Sequence, residues 1–150
     1  MISFIVLLLS SASVADEVSI FVAEDHEHAW TEVYQTDERR MQFDANYLSD
    51  EIVNQQSYPV ALVRAYSASP SKPDSLIRVS ISRDARIAID CENSAFTPIE
   101  AQAWNRDKGE YEIMKFPAPR FQGLRAENED LMAPLFQHIC GSDWSMSKSQ

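Results

Sequence analysis

The stretch Arg86-Ile87-Ala88-Ile89-Asp90-Cys91-Glu92 decides how the rest of the chain is organised. Ile87, Ile89 and Cys91 alternate with small or polar residues, which is the period of a strand with one buried face. The other cysteine, Cys140, ends a short apolar segment near the C-terminus. A bond between the two cysteines would fix that segment to the sheet.

The N-terminus has the pattern of an export signal. Met1 to Ala15 form an apolar run without a charged side chain, and the small residues Ser13 and Ala15 precede Asp16. We predict a signal peptide that is cleaved after Ala15. A membrane span is the alternative, but it needs about 20 apolar residues. The leader has no cysteine and so no lipobox, and we expect a periplasmic or secreted protein without a membrane anchor in its mature form.

Two cysteines in an exported chain favour one disulfide, Cys91–Cys140, with a structural role. The loop that it closes is long, and the chain-entropy model gives about 4 kcal/mol of stabilisation for it. The alternatives are a thiol pair for redox chemistry or for metal binding. Redox pairs usually have Cys-x-x-Cys spacing and structural zinc needs four ligands, so both alternatives fit less well.

The charge of the chain and one histidine-containing run bear on its ligands. The formal net charge is −10 at pH 7, which repels nucleic acid and anionic membranes. In Glu24-Asp25-His26-Glu27-His28, the two imidazoles of an extended segment would face the same way. His26 and His28 then offer a loose site for Zn²⁺, Cu²⁺ or Ni²⁺. The alternative is a hydrated acidic tether; we favour it and expect no cofactor, because the sequence points to no further ligand.

Alternation and turn signals predict a single α+β domain over residues 30–141. Its single antiparallel sheet has about six strands in hairpins, and a short C-terminal helix over Leu131–Ile139 packs against it. Residues 16–29 are expected to form a tether or an edge strand, and residues 142–150 a flexible tail. Strands are predicted at Trp30–Gln35, Arg40–Tyr47, Tyr58–Ser67, Leu76–Ser82, Arg86–Glu92, Ala95–Trp104 and Glu110–Phe116.

The connections between these strands have distinct compositions. Leu48–Gln56 is polar and indicates a loop or one helical turn, and Ser67–Ser75 has the serines and prolines of a loop. Arg83-Asp84-Ala85 indicates a turn. The connection before Glu110 is expected to place Gly109 at positive φ. In the helix, Asp130 is a candidate cap, and Pro134 is compatible with the helix only if the helix begins late.

The order of these motifs resembles the bacterial surface-adhesin protein E-like family. The features that carry the resemblance are Trp30-Thr31-Glu32-Val33-Tyr34, Phe43-Asp44 to Tyr47, Ile89-Asp90-Cys91, the turn ending in Asp107-Lys108-Gly109, and the helix running into Cys140. The resemblance implies a small antiparallel sheet with helices and one disulfide, in an exported protein of Gram-negative type. Family members studied as adhesins are outer-membrane lipoproteins that hold host matrix or plasma proteins. The missing lipobox favours a periplasmic or released protein over surface display.

The sequence favours binding over catalysis. It contains no nucleophile elbow, Walker loop, dinucleotide fingerprint or EF-hand loop, and His138 more simply complements the helix dipole than serves Cys140 as a base. We predict a non-enzymatic module that binds a protein or peptide partner, of the host or the envelope, through a sheet face or edge. Tyr34 and Trp104 are the expected aromatic contacts. The alternative class is a small periplasmic hydrolase or ligand carrier, with a site assembled from residues far apart in sequence.

Overall fold

Most of the predicted strands and the helix are present. The computed structural model describes residues 19–37, 39–67 and 84–146. In this part of the chain the regular elements are β1 (Trp30–Gln35), β2 (Arg39–Asp44), β3 (Ser49–Val53), β4 (Gln56–Ser67), β5 (Asp84–Asp90), β6 (Ala95–Asn105), β7 (Glu110–Lys115), β8 (Gln122–Gly123) and α1 (Glu129–Cys140). A 3₁₀ turn, Ala126–Asn128, precedes α1.

The strands form one antiparallel sheet in the order β1-β2-β4-β5-β6-β7. β3 pairs with the first part of β4, and β8 pairs with the start of β6. The cysteine strand β5 therefore lies inside the sheet, between β4 and β6. An antiparallel sheet with a short C-terminal helix is confirmed, but the described part of the chain alone has eight strands and not about six.

β3 occupies a segment for which the sequence predicts a loop or a helical turn, and that prediction is wrong. Asn54 and Gln55 have positive φ angles of 52° and 72°, which are those of a two-residue hairpin turn. The turn joins Val53 to Gln56, its partner in register. The sequence hides this hairpin because its turn lacks glycine and because Ile52 is 74% exposed, so only one large apolar side chain of the strand faces inward.

Two other local predictions are also corrected. The turn expected at Arg83-Asp84-Ala85 is not present at its last two residues, because β5 already begins at Asp84, which pairs with Arg64 of β4. α1 begins at Glu129 with Pro134 inside it, so the helix does not begin late. The proline removes one backbone hydrogen bond, which burial of neighbouring helix side chains offsets. The predicted strand Leu76–Ser82 and the signal peptide lie outside the described residues.

The main core lies between one face of the sheet and α1. Leu135 and Phe136 of the helix are fully buried against sheet residues that include Phe43 and Ile89. The sheet and helix residues of this core are Val33, Phe43, Ala61, Val63, Ile87, Ile89, Met132, Leu135 and Phe136. The Cys91–Cys140 disulfide, which is confirmed, joins the end of β5 to the last residue of the helix.

The segment after α1 also contributes to this core. Trp144, which the sequence places in a flexible tail, is 8% exposed. Its ring stacks on Phe136 with centroids 4.7 Å apart. The packed part of the chain therefore extends past Gly141. No helix among the described residues combines the length and the apolar character that a membrane crossing requires.

Candidate functional site

The segment before β1 brings two histidines to the end of β2. Residues 19–29, the described part of the predicted tether or edge strand, contain no strand and fold into turns closed by Val22 N–H to Ser19 O (3.3 Å) and His26 N–H to Ala23 O (3.0 Å). The segment then enters β1, where Trp30 is the register partner of Asp44. This pairing places the last residue of β2 directly beneath the histidine-containing run.

The Asp44 side chain, which is fully buried, accepts four hydrogen bonds. Its Oδ1 accepts the backbone N–H groups of Ala29 (2.9 Å) and Asn46 (3.0 Å). Its Oδ2 lies 2.8 Å from His26 Nε2 and 2.6 Å from His28 Nδ1. Burial alone raises the pKa of Asp44, but these hydrogen bonds outweigh it and hold the pKa below its usual value. The carboxylate is therefore ionised at neutral pH.

The contacts of His28 define which of its nitrogens carries the proton. The Ser19 N–H donates to His28 Nε2 at 3.2 Å, so Nε2 is an acceptor and the proton lies on Nδ1, facing Asp44. The His28 ring stacks on Trp30 with centroids 4.8 Å apart and meets His26 edge-on at the same separation. These contacts fix the ring on both sides.

A buried ion pair supports the stack from below. The Arg64 guanidinium lies 4.2 Å from the centroid of the Trp30 ring, within the range of a cation–π contact. Arg64 Nε and Nη2 donate to the two carboxylate oxygens of Asp84 at 2.7 and 2.9 Å. Both side chains are 1% exposed. One continuous column on the sheet face opposite the helix is thus formed by His28, Trp30, Arg64 and Asp84.

The cluster contains the donor atoms of a metal site. His26, His28 and Asp44 each offer one ligand atom, and these atoms lie within 4.8 Å of one another. The sequence pointed to the two histidines but missed the aspartate, which is 16 residues from His28. A signal that could have found Asp44 is the predicted hairpin itself, because the β1–β2 pairing sets the end of β2 against the start of β1.

A second candidate site lies at the opposite edge of the sheet. Trp104 of β6 and Tyr111 of β7 are register partners, and their rings meet edge-on with centroids 4.9 Å apart. Ile113 follows Tyr111 at the strand period, so it lies on the same face. Trp104, Tyr111 and Ile113, hereafter the aromatic patch, are 42%, 42% and 45% exposed. The prediction of Trp104 as a contact residue remains a prediction, but the structure exposes its ring.

Tyr34, the other predicted aromatic contact, is not near the aromatic patch. The β1–β2 register shifts between Glu32 and Tyr34, and this bulge lets Val33 and Tyr34 both pack against the main core. Burial raises the pKa of Tyr34, and the charge of Arg39 opposes that rise only in part. Tyr34 is therefore a half-buried residue of β1 that packs against the main core, and its assignment as a contact residue remains a prediction.

A third polar group surrounds Arg86 in β5. Its Nε donates to the Tyr47 hydroxyl at 2.7 Å and its Nη2 to Glu51 at 3.0 Å, and Nη1 pairs with Glu100. Burial alone lowers the pKa of Arg86, but the hydrogen bonds that it donates to Glu51 and Tyr47 outweigh this effect and raise the pKa above its usual range. Two carboxylates compensate the guanidinium charge, so this group joins β3, β5 and β6 and does not offer an uncompensated charge to a ligand.

His138 and the cysteines do not form a catalytic pair. Cys91 and Cys140 are both in the disulfide, and the His138 ring packs on Phe43 with centroids 4.7 Å apart. His138 lies in the last turn of α1, where a histidine complements the helix dipole.

Comparisons with known proteins assign no family to the chain. No family model, curated protein or solved structure matches it. The resemblance to the surface-adhesin protein E-like family therefore remains a prediction from the motifs.

Proposed function

We propose that the protein is an exported, non-enzymatic binding module that holds an extended, basic peptide segment of another protein along strand β7. The observation that carries this proposal is the aromatic patch, in which three large side chains of adjacent strands are each more than two-fifths exposed. Aromatic side chains on an exposed strand pair provide contact area at little cost in conformational entropy.

The position of the patch supports recognition by strand addition. β7 is the last strand in the sheet order, and β6 is its only strand partner among the described residues. An edge strand presents unpaired backbone groups that can pair with an extended peptide, and alternate side chains then provide specificity. The rings of Trp104 and Tyr111 would contact the peptide side chains that point to their face of the sheet.

The charge of the protein supports a basic partner. β7 carries Glu110 and Glu112 next to the patch, and Glu112 pairs with Lys108 at 2.9 Å. The formal net charge of the chain is −10, so a second copy of the same chain would be repelled, while a segment with lysine or arginine would be attracted. We therefore assign the edge to a different protein and not to self-association.

Export is part of the proposal and has its own support. The leader Met1 to Ala15 has the pattern of a signal peptide, and a disulfide such as Cys91–Cys140 persists mainly in oxidising compartments. The resemblance to the surface-adhesin protein E-like family points to the same class of exported binding proteins. We therefore expect the partner to be an envelope protein or a host protein.

Selection from a displayed library of random peptides tests the binding site. We expect enrichment of peptides that alternate apolar residues with lysine or arginine. For a selected peptide, Trp104→Ala is expected to weaken binding by about tenfold or more, as loss of an aromatic hot spot does. Ile113→Lys should weaken it similarly, because it places a charge in the patch and repels a basic peptide. Affinities are measured by fluorescence anisotropy with the labelled peptide.

A matched control separates the patch from general stickiness. Ile52 is also an exposed isoleucine on a strand, at 74% exposure, and Ile52→Lys is expected to leave the affinity unchanged. Equal loss of affinity in Ile52→Lys and Ile113→Lys would contradict the proposed site. Patch-dependent dimerisation in sedimentation experiments would show that the occupant is a second copy and would also overturn the proposal.

A further inference from the structure

We propose that His26, His28 and Asp44 form a binding site for one divalent transition-metal ion of the Zn²⁺ type, with a further coordination position open to solvent. Among the described residues, this is the one place where three histidine, cysteine or carboxylate groups converge closely enough to share an ion. Two imidazole nitrogens and one carboxylate oxygen suit Zn²⁺ and its neighbours in the first transition row. The inference is independent of peptide binding at β7.

The carboxylate ligand is already oriented. The Ala29 and Asn46 N–H groups occupy Asp44 Oδ1, which leaves Oδ2 directed at the two imidazoles. Such outer hydrogen bonds fix the direction of a metal ligand and strengthen binding. The His28 side chain is 7% exposed and is held against Trp30. His26 is the more exposed of the two histidines, at 21%, and it marks the side from which an ion can enter.

In this structure the distances from the two imidazole nitrogens to Asp44 Oδ2 are those of hydrogen bonds. Ligand atoms around a tetrahedral zinc ion, with bonds of about 2.0–2.1 Å, lie roughly 3.3 Å apart. Asp44 Oδ2 is 2.8 Å from His26 Nε2 and 2.6 Å from His28 Nδ1. An ion that replaces the two bridging protons therefore requires Asp44 Oδ2 to lie about 0.5 Å further from His26 Nε2 and about 0.7 Å further from His28 Nδ1. The partly exposed His26 can supply the first displacement, and His28 has to shift for the second.

Metal binding has a structural consequence at Ser19. When Nδ1 of His28 binds an ion, the imidazole proton moves to Nε2. That nitrogen now accepts the Ser19 N–H at 3.2 Å, and two donors cannot face each other at this distance. The ion therefore displaces the Ser19 amide. Metal binding is thus coupled to loss of the hydrogen bond that holds the Ser19–Val22 turn to His28.

Charge favours the ion over the proton-bridged arrangement. Glu24, Asp25 and Glu27 flank the histidines in the sequence, and Asp44 is ionised. The field of these groups raises the local concentration of a divalent cation. The guanidinium beneath Trp30 opposes it little, because Asp84 neutralises that charge.

Titration of the chelator-treated, purified protein with Zn²⁺ alone tests the proposal. Calorimetry is expected to give one ion per chain, and Co²⁺ in its place should give the intense visible absorption of a four-coordinate ion. His26→Gln and His28→Gln are each expected to weaken Zn²⁺ binding by at least about tenfold. His138→Gln is the matched control, since it replaces the remaining histidine of the chain, and it should bind Zn²⁺ as the wild type does.

Hydrogen exchange at Ser19 provides an independent readout. Zn²⁺ is expected to speed exchange of the Ser19 amide in the wild type and to leave it unchanged in His26→Gln. His26→Gln keeps three of the four hydrogen bonds to Asp44, so this variant is expected to fold even if His28→Gln does not. Absence of Zn²⁺ binding at equimolar metal, equal loss of binding in His138→Gln, or a Ser19 amide that becomes more protected with Zn²⁺ would each overturn the proposed site.

Discussion

Replacing Asp84 by asparagine is expected to destabilise the protein strongly, because it removes the counter-charge of a guanidinium inside the sheet. Arg64 and Asp84 are register partners whose side chains are 1% exposed, and they are joined by two hydrogen bonds of 2.7 and 2.9 Å. Breaking a buried ion pair from one side costs about 3–5 kcal/mol, since the remaining charge loses its counter-ion. The same range is expected for Arg64→Met.

A double-mutant cycle isolates the pair from the other contacts of the arginine. Arg64→Met also removes the cation–π contact with Trp30, which contributes about 0.5–2 kcal/mol, but this loss is common to the single and the double variant. Arg64→Met/Asp84→Asn leaves no buried charge at this position. We therefore expect the double variant to lose at least about 2 kcal/mol less than the sum of the two single variants.

Urea unfolding at pH 7, followed by circular dichroism, measures each free energy of unfolding. The control is Arg40→Met, which breaks the pair of Arg40 with Glu32 on the same sheet, at 45% and 37% side-chain exposure. An exposed pair contributes about 1 kcal/mol or less. Two results would contradict this account: additive losses in the free energy of unfolding across the Arg64–Asp84 cycle, or single-variant losses as small as that of Arg40→Met. Either result would show that the guanidinium reaches water and that the packing beneath Trp30 does not depend on the ion pair.

Three further predictions concern stability and processing. Cys91→Ser/Cys140→Ser removes a crosslink between positions 49 residues apart and is expected to cost about 4 kcal/mol in urea unfolding, compared with the oxidised wild type; an unchanged midpoint would contradict this. Because burial raises the pKa of Tyr34, the folded protein keeps the phenol proton when the unfolded chain loses it near pH 10, so stability falls as the pH rises above about 10. Tyr34→Phe should flatten this alkaline loss in urea unfolding between about pH 9 and 11, and an unchanged slope would be the contrary result. Intact-mass analysis of the exported protein should give a chain that begins at Asp16 without a lipid adduct, and a retained leader would refute this.

The sequence predicts the strands whose two faces differ. Ile87 and Ile89 alternate with smaller or polar residues, and the structure buries both of them. The hairpin between β6 and β7 is also predicted from the sequence, through the glycine at position 109. The structure gives Gly109 the expected positive φ, +65°. β3 escaped prediction because it carries one buried apolar residue, Val53, and turns at Asn54 and Gln55 without glycine. Such a strand lacks the alternation of apolar and polar residues from which a strand is predicted.

The site depends on contacts that have no local signal. Asp44 reaches the histidines because the β1–β2 register sets Trp30 against it, and a register is a property of two strands together. The packing of Tyr34 against the core depends on the bulge after Glu32, which simple alternation cannot anticipate. The composition around Trp144 predicts a tail, because the stacking of Trp144 on Phe136 joins it to the preceding helix only in the folded chain. In each case the decisive contact joins residues that the local pattern treats separately.

Amide hydrogen exchange of the protein, alone and saturated with a peptide selected by display, locates the binding edge directly. The two outer strands of the main sheet order are β7 and β1, and they serve as site and internal control in one experiment. If a peptide adds to the sheet at the aromatic patch, the amides of Glu110–Lys115 gain protection and those of Trp30–Gln35 do not change. Protection at β1, or a bound peptide that leaves the amides of β7 unprotected, would contradict recognition at β7.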